Sequence, residues 1–222
     1  MKLALLTTAA LALTLAACSN GSSDVSDTSS TEAPATSETS AAPDAATPAA
    51  PVVDTAERAI VAEARTCVGA ADTAILVGDA PADGNQDAEV NAAAATAYLD
   101  AVRAEPCVFE LPSGLLFRIR QPVNAGISPV SGDLVTVHYR GMFTYGGEFD
   151  SSYARGEPAT FPSDRLIAGW VEALPLMRVG EAWDLFIAPD LAYGSRGTPG
   201  GPIGPDEALV FQLELIDVPG GR

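Results

Sequence analysis

Three runs in the second half of the chain alternate with a period of two, and they limit the fold more than any other feature. Over 133–143, Val135, Val137 and Tyr139 fall on one face and Thr136, His138 and Arg140 on the other, the spacing of a half-buried strand. Trp183, Leu185 and Ile187 alternate with Asp184 and Phe186, and Leu209, Phe211, Leu213 and Leu215 alternate with Val210, Gln212 and Glu214. These runs read as antiparallel strands with one covered face. Between them lies 164–174, too short for a bundle helix, with Asp164 placed to cap its start. The pattern predicts one small helix against one sheet.

The segments around these strands carry an ordered set of short motifs: SGL at 113–115, VHYRG at 137–141, FDSS at 149–152, RGEP at 155–158, GW at 169–170, the Tyr193-Gly194 pair with its neighbours, and ALVFQLELIDV at 208–218. Each alone is weak, but their order and spacing over about Ser113 to Val218 resemble the FKBP-type peptidyl-prolyl isomerases, in particular the bacterial envelope members. The resemblance implies an α+β fold, a twisted antiparallel sheet wrapped around one short helix, with an apolar pocket that binds proline. Trp170 is then the pocket floor, and Tyr139, Phe149, Leu166, Ile167 and Phe211 are walls. Asp150, Phe149 and Tyr193 are the expected catalytic residues. Asp150 orients and polarises, hydrogen-bonds Tyr139, and has Arg155 as its partner; the Tyr193 hydroxyl and the Ile167 amide are donors for a substrate carbonyl. Ile203 is counted with the substrate-binding set.

No cofactor and no metal are implied. His138, the only histidine, lies on the alternate strand face with no Cys or His nearby in sequence, and reads as structural. Read without the family, Tyr139, Phe149, Trp170 and Phe211 are the aromatics any core of this size contains, and Asp150 is a turn residue capping a local amide. The chain departs from the family pattern at Ala159, which makes one wall shallower, at Thr198, and at Gly204-Pro205 in a glycine-bearing loop expected to form a mobile lip over the pocket. Macrolide inhibitors of the family are candidate ligands, with affinity dependent on those positions.

Residues 1–17 read as a signal peptide: Lys2, then an apolar run from Leu3 to Leu15, shorter than the roughly 20 residues a membrane span needs. Leu15-Ala16-Ala17-Cys18 resembles a bacterial lipobox, which makes Cys18 the lipidated first residue of the mature chain; the competing reading is an ordinary secretory signal with an incidental cysteine. Residues 18–51 are rich in Ser, Thr, Ala and Pro, with acids and no base, a composition that cannot bury a core. O-glycosylation is a further reading of such a stretch. The segment is expected to be a lipid-anchored linker facing the periplasm, with Ser19 favouring the outer membrane by resemblance.

Residues 52–107 are expected to form a helical hairpin. Asp54 to Glu57 resembles a capping box, Ile60, Ala64, Cys67, Val68, Ala71 and Ile75 make one face, and a second helix over 87–105 shows Val90, Ala94, Ala97, Tyr98, Ala101 and Val102. Pairing with a second copy as a homodimer and packing on its own domain are equally consistent with this pattern. With Cys18 acylated, Cys67 and Cys107 remain as an even pair in an oxidising compartment, and a disulfide is expected between them. The isomerase domain is 108–222. A formal net charge of −17, with Lys2 the only lysine, disfavours nucleic acid and anionic surfaces.

The expected activity is isomerisation of prolyl bonds in unfolded, exported or outer-membrane polypeptides. The alternative is an envelope chaperone or binding module with little turnover. A purely structural envelope lipoprotein leaves the ordered motifs without a purpose.

Overall fold

A computed structural model describes residues 53–67, 74–80 and 86–221. The signal peptide, Cys18 and the linker lie outside them. Two helices, α1 (Thr55–Ala64) and α2 (Ala88–Arg103), precede the strands β1 (Phe109–Glu110), β2 (Leu116–Gln121), β3 (Leu134–Phe143) and β4 (Glu148–Ser151). There follow the single turn α3 (Ser152–Arg155), β5 (Ala159–Pro162), α4 (Ala168–Ala173), β6 (Ala182–Ile187) and β7 (Leu209–Asp217). The strands form one antiparallel sheet in the order β1-β2-β6-β7-β3-β4, with β5 also pairing β3.

Alternation divides the buried side chains between the two faces. Phe117, Ile119, Val135, Val137, Tyr139, Trp183, Leu185, Phe211 and Leu213 pack with Trp170 of α4 in the main core. Leu116, Phe186 and Val210 point the other way and pack with Tyr98 and Val102 of α2. The expectation of a single covered face therefore fails at the β2-β6-β7 end. Asp184 and Phe186, read as the outer positions of their strand, are 0% and 1% exposed because α2 lies over them.

The hairpin expectation also needs correction. Val61 and Ala64 of α1 join the main core, whereas Tyr98 and Val102 of α2 join the cluster on the opposite face. The helices thus bury their apolar faces on two sides of the sheet instead of on each other. The Asp54 capping box forms as expected, with Glu57 accepting from the Asp54 amide at 2.9 Å. However, α1 ends at Ala64 and does not continue to Ile75, because the next residues make other bonds. Arg65 reaches Glu181 (2.7 Å) and the Leu176 carbonyl (2.8 Å), and the Thr66 hydroxyl caps the Glu63 carbonyl. Val68 and Ala71 lie outside the described residues. In α2 the buried stripe is Asn91, Ala95, Tyr98 and Val102: Tyr98 and Val102 lie on the expected side, whereas Asn91 and Ala95 take the places expected of Val90 and Ala94, with Asn91 donating to the Pro205 carbonyl (2.8 Å) and Tyr98 to the Leu76 carbonyl (2.8 Å).

A disulfide joins Cys67 to Cys107, whose Cα atoms are 5.7 Å apart. Cys67 follows α1 on one face, and Cys107 follows α2 on the other and leads into edge strand β1. The covalent link therefore passes around the edge of the sheet.

Helix α4 is shorter than the sequence suggests. Its N-cap is Ile167, without a side-chain cap bond, and Asp164 lies in the turn before it. Close packing accounts for Gly169, where a Cβ would lie 3.0 Å from Ile187. The absent side chain lets α4 settle against the sheet and brings Trp170 to the centre of its face.

Candidate active site

The hollow beside α4 has a volume of about 530 Å³. Tyr139, Phe149, Asp150, Leu166, Ile167, Trp170, Tyr193 and Phe211 line it, together with Phe161, Arg165, Ala168 and Ala192. Eight of the residues singled out from sequence thus meet in one place. Each arrives for a local reason: Tyr139 and Phe211 are core-facing positions of the paired central strands β3 and β7, and Phe149 and Asp150 come from β4 beside them. Leu166, Ile167 and Trp170 enter from the start of α4, and Tyr193 from the loop after β6.

Trp170 is 4% exposed and held edge-on by Tyr139 and Phe211, each with ring centroids 5.3 Å away, while Phe149 meets Phe211 edge-on at 5.6 Å. Such edge-to-face contacts fix ring planes and keep an apolar hollow from closing on itself. Gly141 makes room for them: a Cβ there would lie 2.7 Å from Phe149 and 2.9 Å from Phe211. The Trp170 indole nitrogen is buried without a hydrogen-bond partner among the described residues. An unmatched buried donor costs about 1–3 kcal/mol, a cost that binding sites carry more often than cores do.

The polar edge is a three-residue network. The Tyr139 hydroxyl donates to Asp150 at 2.5 Å, and Arg155 ion-pairs with the second Asp150 oxygen and donates to the Tyr139 hydroxyl at 2.8 Å. Partial burial pushes the Asp150 carboxyl up, but the hydrogen bonds from Tyr139 and Arg155 and the arginine's charge outweigh it and hold the group below its ordinary value. Burial first, and then the neighbouring Asp150 charge, raise the Tyr193 hydroxyl above its ordinary value, so it remains a proton-bearing donor at neutral pH. Tyr193 is 40% exposed at the hollow's edge. The first turn of α4 takes the Ile167 carbonyl, from Trp170 N (2.9 Å) and Val171 N (3.1 Å), and does not use the Ile167 N–H.

Two expected residues fall outside the lining. Arg155 acts through Asp150 and Tyr139 instead of facing the hollow, and Ile203 turns into the main core. The loop bearing Ile203 is cross-bonded, in contrast to the mobile lip expected from its glycines: Thr198 N donates to the Ile203 carbonyl (2.9 Å), Ile203 N to the Thr198 hydroxyl (3.0 Å), and Gly204 N to Glu207 (2.8 Å). Thr198, a departure from the family pattern, is the residue that ties the loop.

Phe161, Arg165, Ala168 and Ala192 were not picked out from sequence. Phe161 was within reach, since β5 pairs Val137 with Ala159 and Val135 with Phe161, so Ala159 and Phe161 share a face. The aromatic wall missing at Ala159 is supplied two residues further on. His138 has an ordinary structural place, its Nδ1 2.9 Å from the buried Ser152 hydroxyl and its ring stacked on Tyr153. Among the described residues no three His, Cys, Asp or Glu side chains cluster as a metal site would require.

An antiparallel sheet wrapped on one short helix, with an aromatic hollow over the helix start and a carboxylate at its edge, defines an FKBP-like fold and site. Residues 126–216 match the sequence pattern of the FKBP-type peptidyl-prolyl cis-trans isomerases. The chain is 44% identical over 143 residues to the outer membrane protein MIP of Legionella longbeachae, covering 64% of this chain and 60% of that protein. It is 47% identical over 128 residues to the peptidyl-prolyl cis-trans isomerase Mip of Coxiella burnetii, covering 58% and 55%. Among solved structures, it resembles FkpA of Escherichia coli (TM-score 0.57, 39% identity, covering 62% of this chain and 63% of that one). It also resembles a peptidyl-prolyl cis-trans isomerase of Pseudomonas syringae (TM-score 0.54, 36% identity), covering 64% of this chain and 98% of the other. The chain belongs to the FKBP-type peptidyl-prolyl cis-trans isomerase family, and spans 60% and 55% of the length of the two Mip relatives.

Proposed function

We propose that the protein catalyses cis-trans isomerisation of prolyl bonds in polypeptides, with the proline ring resting on Trp170. Rotation about a peptide bond is opposed by a barrier of roughly 18–20 kcal/mol, the resonance of the planar amide, and crossing it makes or breaks no covalent bond. A nucleophile is therefore unnecessary. What accelerates rotation is a site that favours the twisted amide, which has lost its charge separation, over the planar one. The aromatic hollow supplies low polarity for the ring and the bond, while the Tyr193 hydroxyl and the Ile167 N–H are placed to follow the substrate carbonyl as it turns. Asp150, kept charged by Tyr139 and Arg155, orients this edge and has no proton to transfer at neutral pH.

The convergence on one hollow of eight residues expected from the sequence, six of them in the ordered motifs, is the observation that carries this reading. A tetrapeptide with a single prolyl bond, assayed by its cis-to-trans relaxation, tests it. Phe149→Ala and Asp150→Ala should each reduce kcat/KM roughly 10-fold or more, and Tyr193→Phe less. Equal rates for the wild type and all three variants would rule out catalysis here.

The name of the Legionella longbeachae relative, outer membrane protein MIP, supports placement in the bacterial envelope. Lipid attachment at Cys18 and orientation toward the periplasm extend that reading; metabolic labelling with a fatty acid, lost in Cys18→Ser, tests it. Proline-containing exported polypeptides are then the substrates, and the family's macrolides are candidate inhibitors. The alternative of a client-retaining module with little turnover, which Ala159 and the Gly204 loop suggested, is not better supported, and α1 and α2 already use their apolar faces on the sheet.

A further inference from the structure

A second hollow of about 430 Å³ adjoins the first, and Leu166 and Ala168 line both. Its other apolar walls are Val171 and Pro175, one helical turn apart, and Val53, just before α1. Its rim carries two carboxylates, Glu57 and Glu172, and no cation lines it. Both acids are fixed in place: Glu57 by the Asp54 amide at 2.9 Å and Glu172 by the Ser113 hydroxyl at 2.7 Å.

We infer that this hollow is a substrate subsite, continuous with the prolyl pocket over Leu166 and Ala168, that takes an apolar client side chain flanking the proline and favours a basic residue next to it. The inference rests on the isomerase reading and adds client selection to it. Continuity follows from the two shared walls, since a chain whose proline lies on Trp170 passes Leu166 or Ala168 to leave the pocket on that side. The apolar preference follows from the Val53, Val171 and Pro175 lining. The charge preference follows from the rim: burial raises the Glu172 carboxyl and the Glu57 charge adds to this against the hydrogen bond from Ser113, so two carboxylates share the rim, and among the described residues no cation lines it. A client Lys or Arg relieves that repulsion, and a client Asp or Glu adds to it. The site uses a residue from the segment before the catalytic domain, so α1 contributes to recognition and not only to packing.

The test compares prolyl peptides that share one core and differ in a two-residue extension, Leu-Lys, Leu-Ala or Asp-Asp, placed before or after the core, on the full chain. Leu-Lys on one side should raise kcat/KM roughly 10-fold over the bare core, with Leu-Ala intermediate and Asp-Asp giving no gain. Salt should diminish the difference between Leu-Lys and Leu-Ala. Val171→Asp and, independently, Val53→Asp should remove the gain from leucine while the bare core is isomerised as before, and Glu172→Gln should remove only the lysine preference. No gain from leucine on either side, or a gain that both aspartate variants retain, overturns the subsite. Failure to isomerise the bare core defeats the catalytic reading instead.

Discussion

Both faces of the sheet around β2, β6 and β7 carry a buried cluster, and the two are filled with opposite chemistry. Toward α4, Tyr139 and Phe211 meet Trp170 edge to face and leave a hollow. On the other face the same strands bury an ion pair, Arg118 with Asp184 at 2.8 Å, at 1% and 0% exposure, under Tyr98 and the Leu76 segment. Arg120 also reaches Asp184 at 3.3 Å. The difference is instructive. A cluster of rigid rings cannot fill space completely and so makes room for a guest, while a charge taken from water must be closed over and paired. One face is built for occupancy and the other for closure.

Removing the counter-charge on the closed face should have the largest effect. Asp184→Ala strips Arg118 of this buried partner and should lower unfolding free energy by about 3–5 kcal/mol, read by urea denaturation. The kcat/KM of the remaining folded protein should be unchanged, since none of these groups lines the hollow. A large loss of activity at full folding would break the division between the faces.

The disulfide joins the α1 side to the α2 side around the β1 edge, so reduction should act on stability and not on the hollow. With the cysteines 40 positions apart, the loop-entropy model sets an upper bound of about 4 kcal/mol, and disulfides often deliver less. Replacing both cysteines with serine should lower the denaturation midpoint, again with little change in kcat/KM.

On the open face, Gly141→Ala sharpens the contrast, because its methyl would push into the Phe149 and Phe211 rings. Displacement of a pocket wall by a fraction of an ångström should reduce kcat/KM roughly 10-fold, with a smaller loss of stability than in Asp184→Ala. A fully active variant would show that ring positions tolerate more than the edge contacts imply.

The smallest effect is in the pH profile. Asp150 has a depressed value in the folded state, so the stabilisation its ionised form gives is present above the ordinary 3.8 and lost only as pH falls through the lower folded value. Tyr139 and Tyr193 are raised above their ordinary 10.0, by burial first and by Asp150 next. Activity should therefore stay level from about pH 5 to 9. An inflection inside that range would break this account of the polar edge.

How much of this could be read in advance varies from place to place. The strand alternation at Val135, Val137 and Tyr139 and the pocket set around Trp170 were legible because each residue's face follows from its position within one strand or turn. The capping boundary at Asp54 was legible for the same reason, being closed within four residues. Ile203 joins the main core and not the lining, because its place is set by packing against other elements and not by its neighbours in the loop. Phe161 was missed because its register with Val135 is a pairing between strands 26 positions apart.

The apparent one-sidedness of β6 and the hairpin failed for a related reason. Asp184 in an alternating strand is the ordinary mark of a solvent-facing position, and only the arrival of α2 with Arg118 beneath it turns that mark into a buried ion pair. Likewise, Asn91 takes the buried place expected of Val90 in α2 because its amide finds the Pro205 carbonyl, while Tyr98 is buried as expected.

By itself, the sequence determined the period of each strand, the motif order and hence the residues that gather at the hollow, since local sterics and side-chain alternation are written into neighbouring positions. Only the tertiary structure decided which sheet face is open and which is sealed, that α1 and α2 separate to opposite sides, and that Val53 and Glu57 adjoin the pocket. Those outcomes depend on long-range burial and on the pairing of buried polar groups, whose partners are distant in sequence.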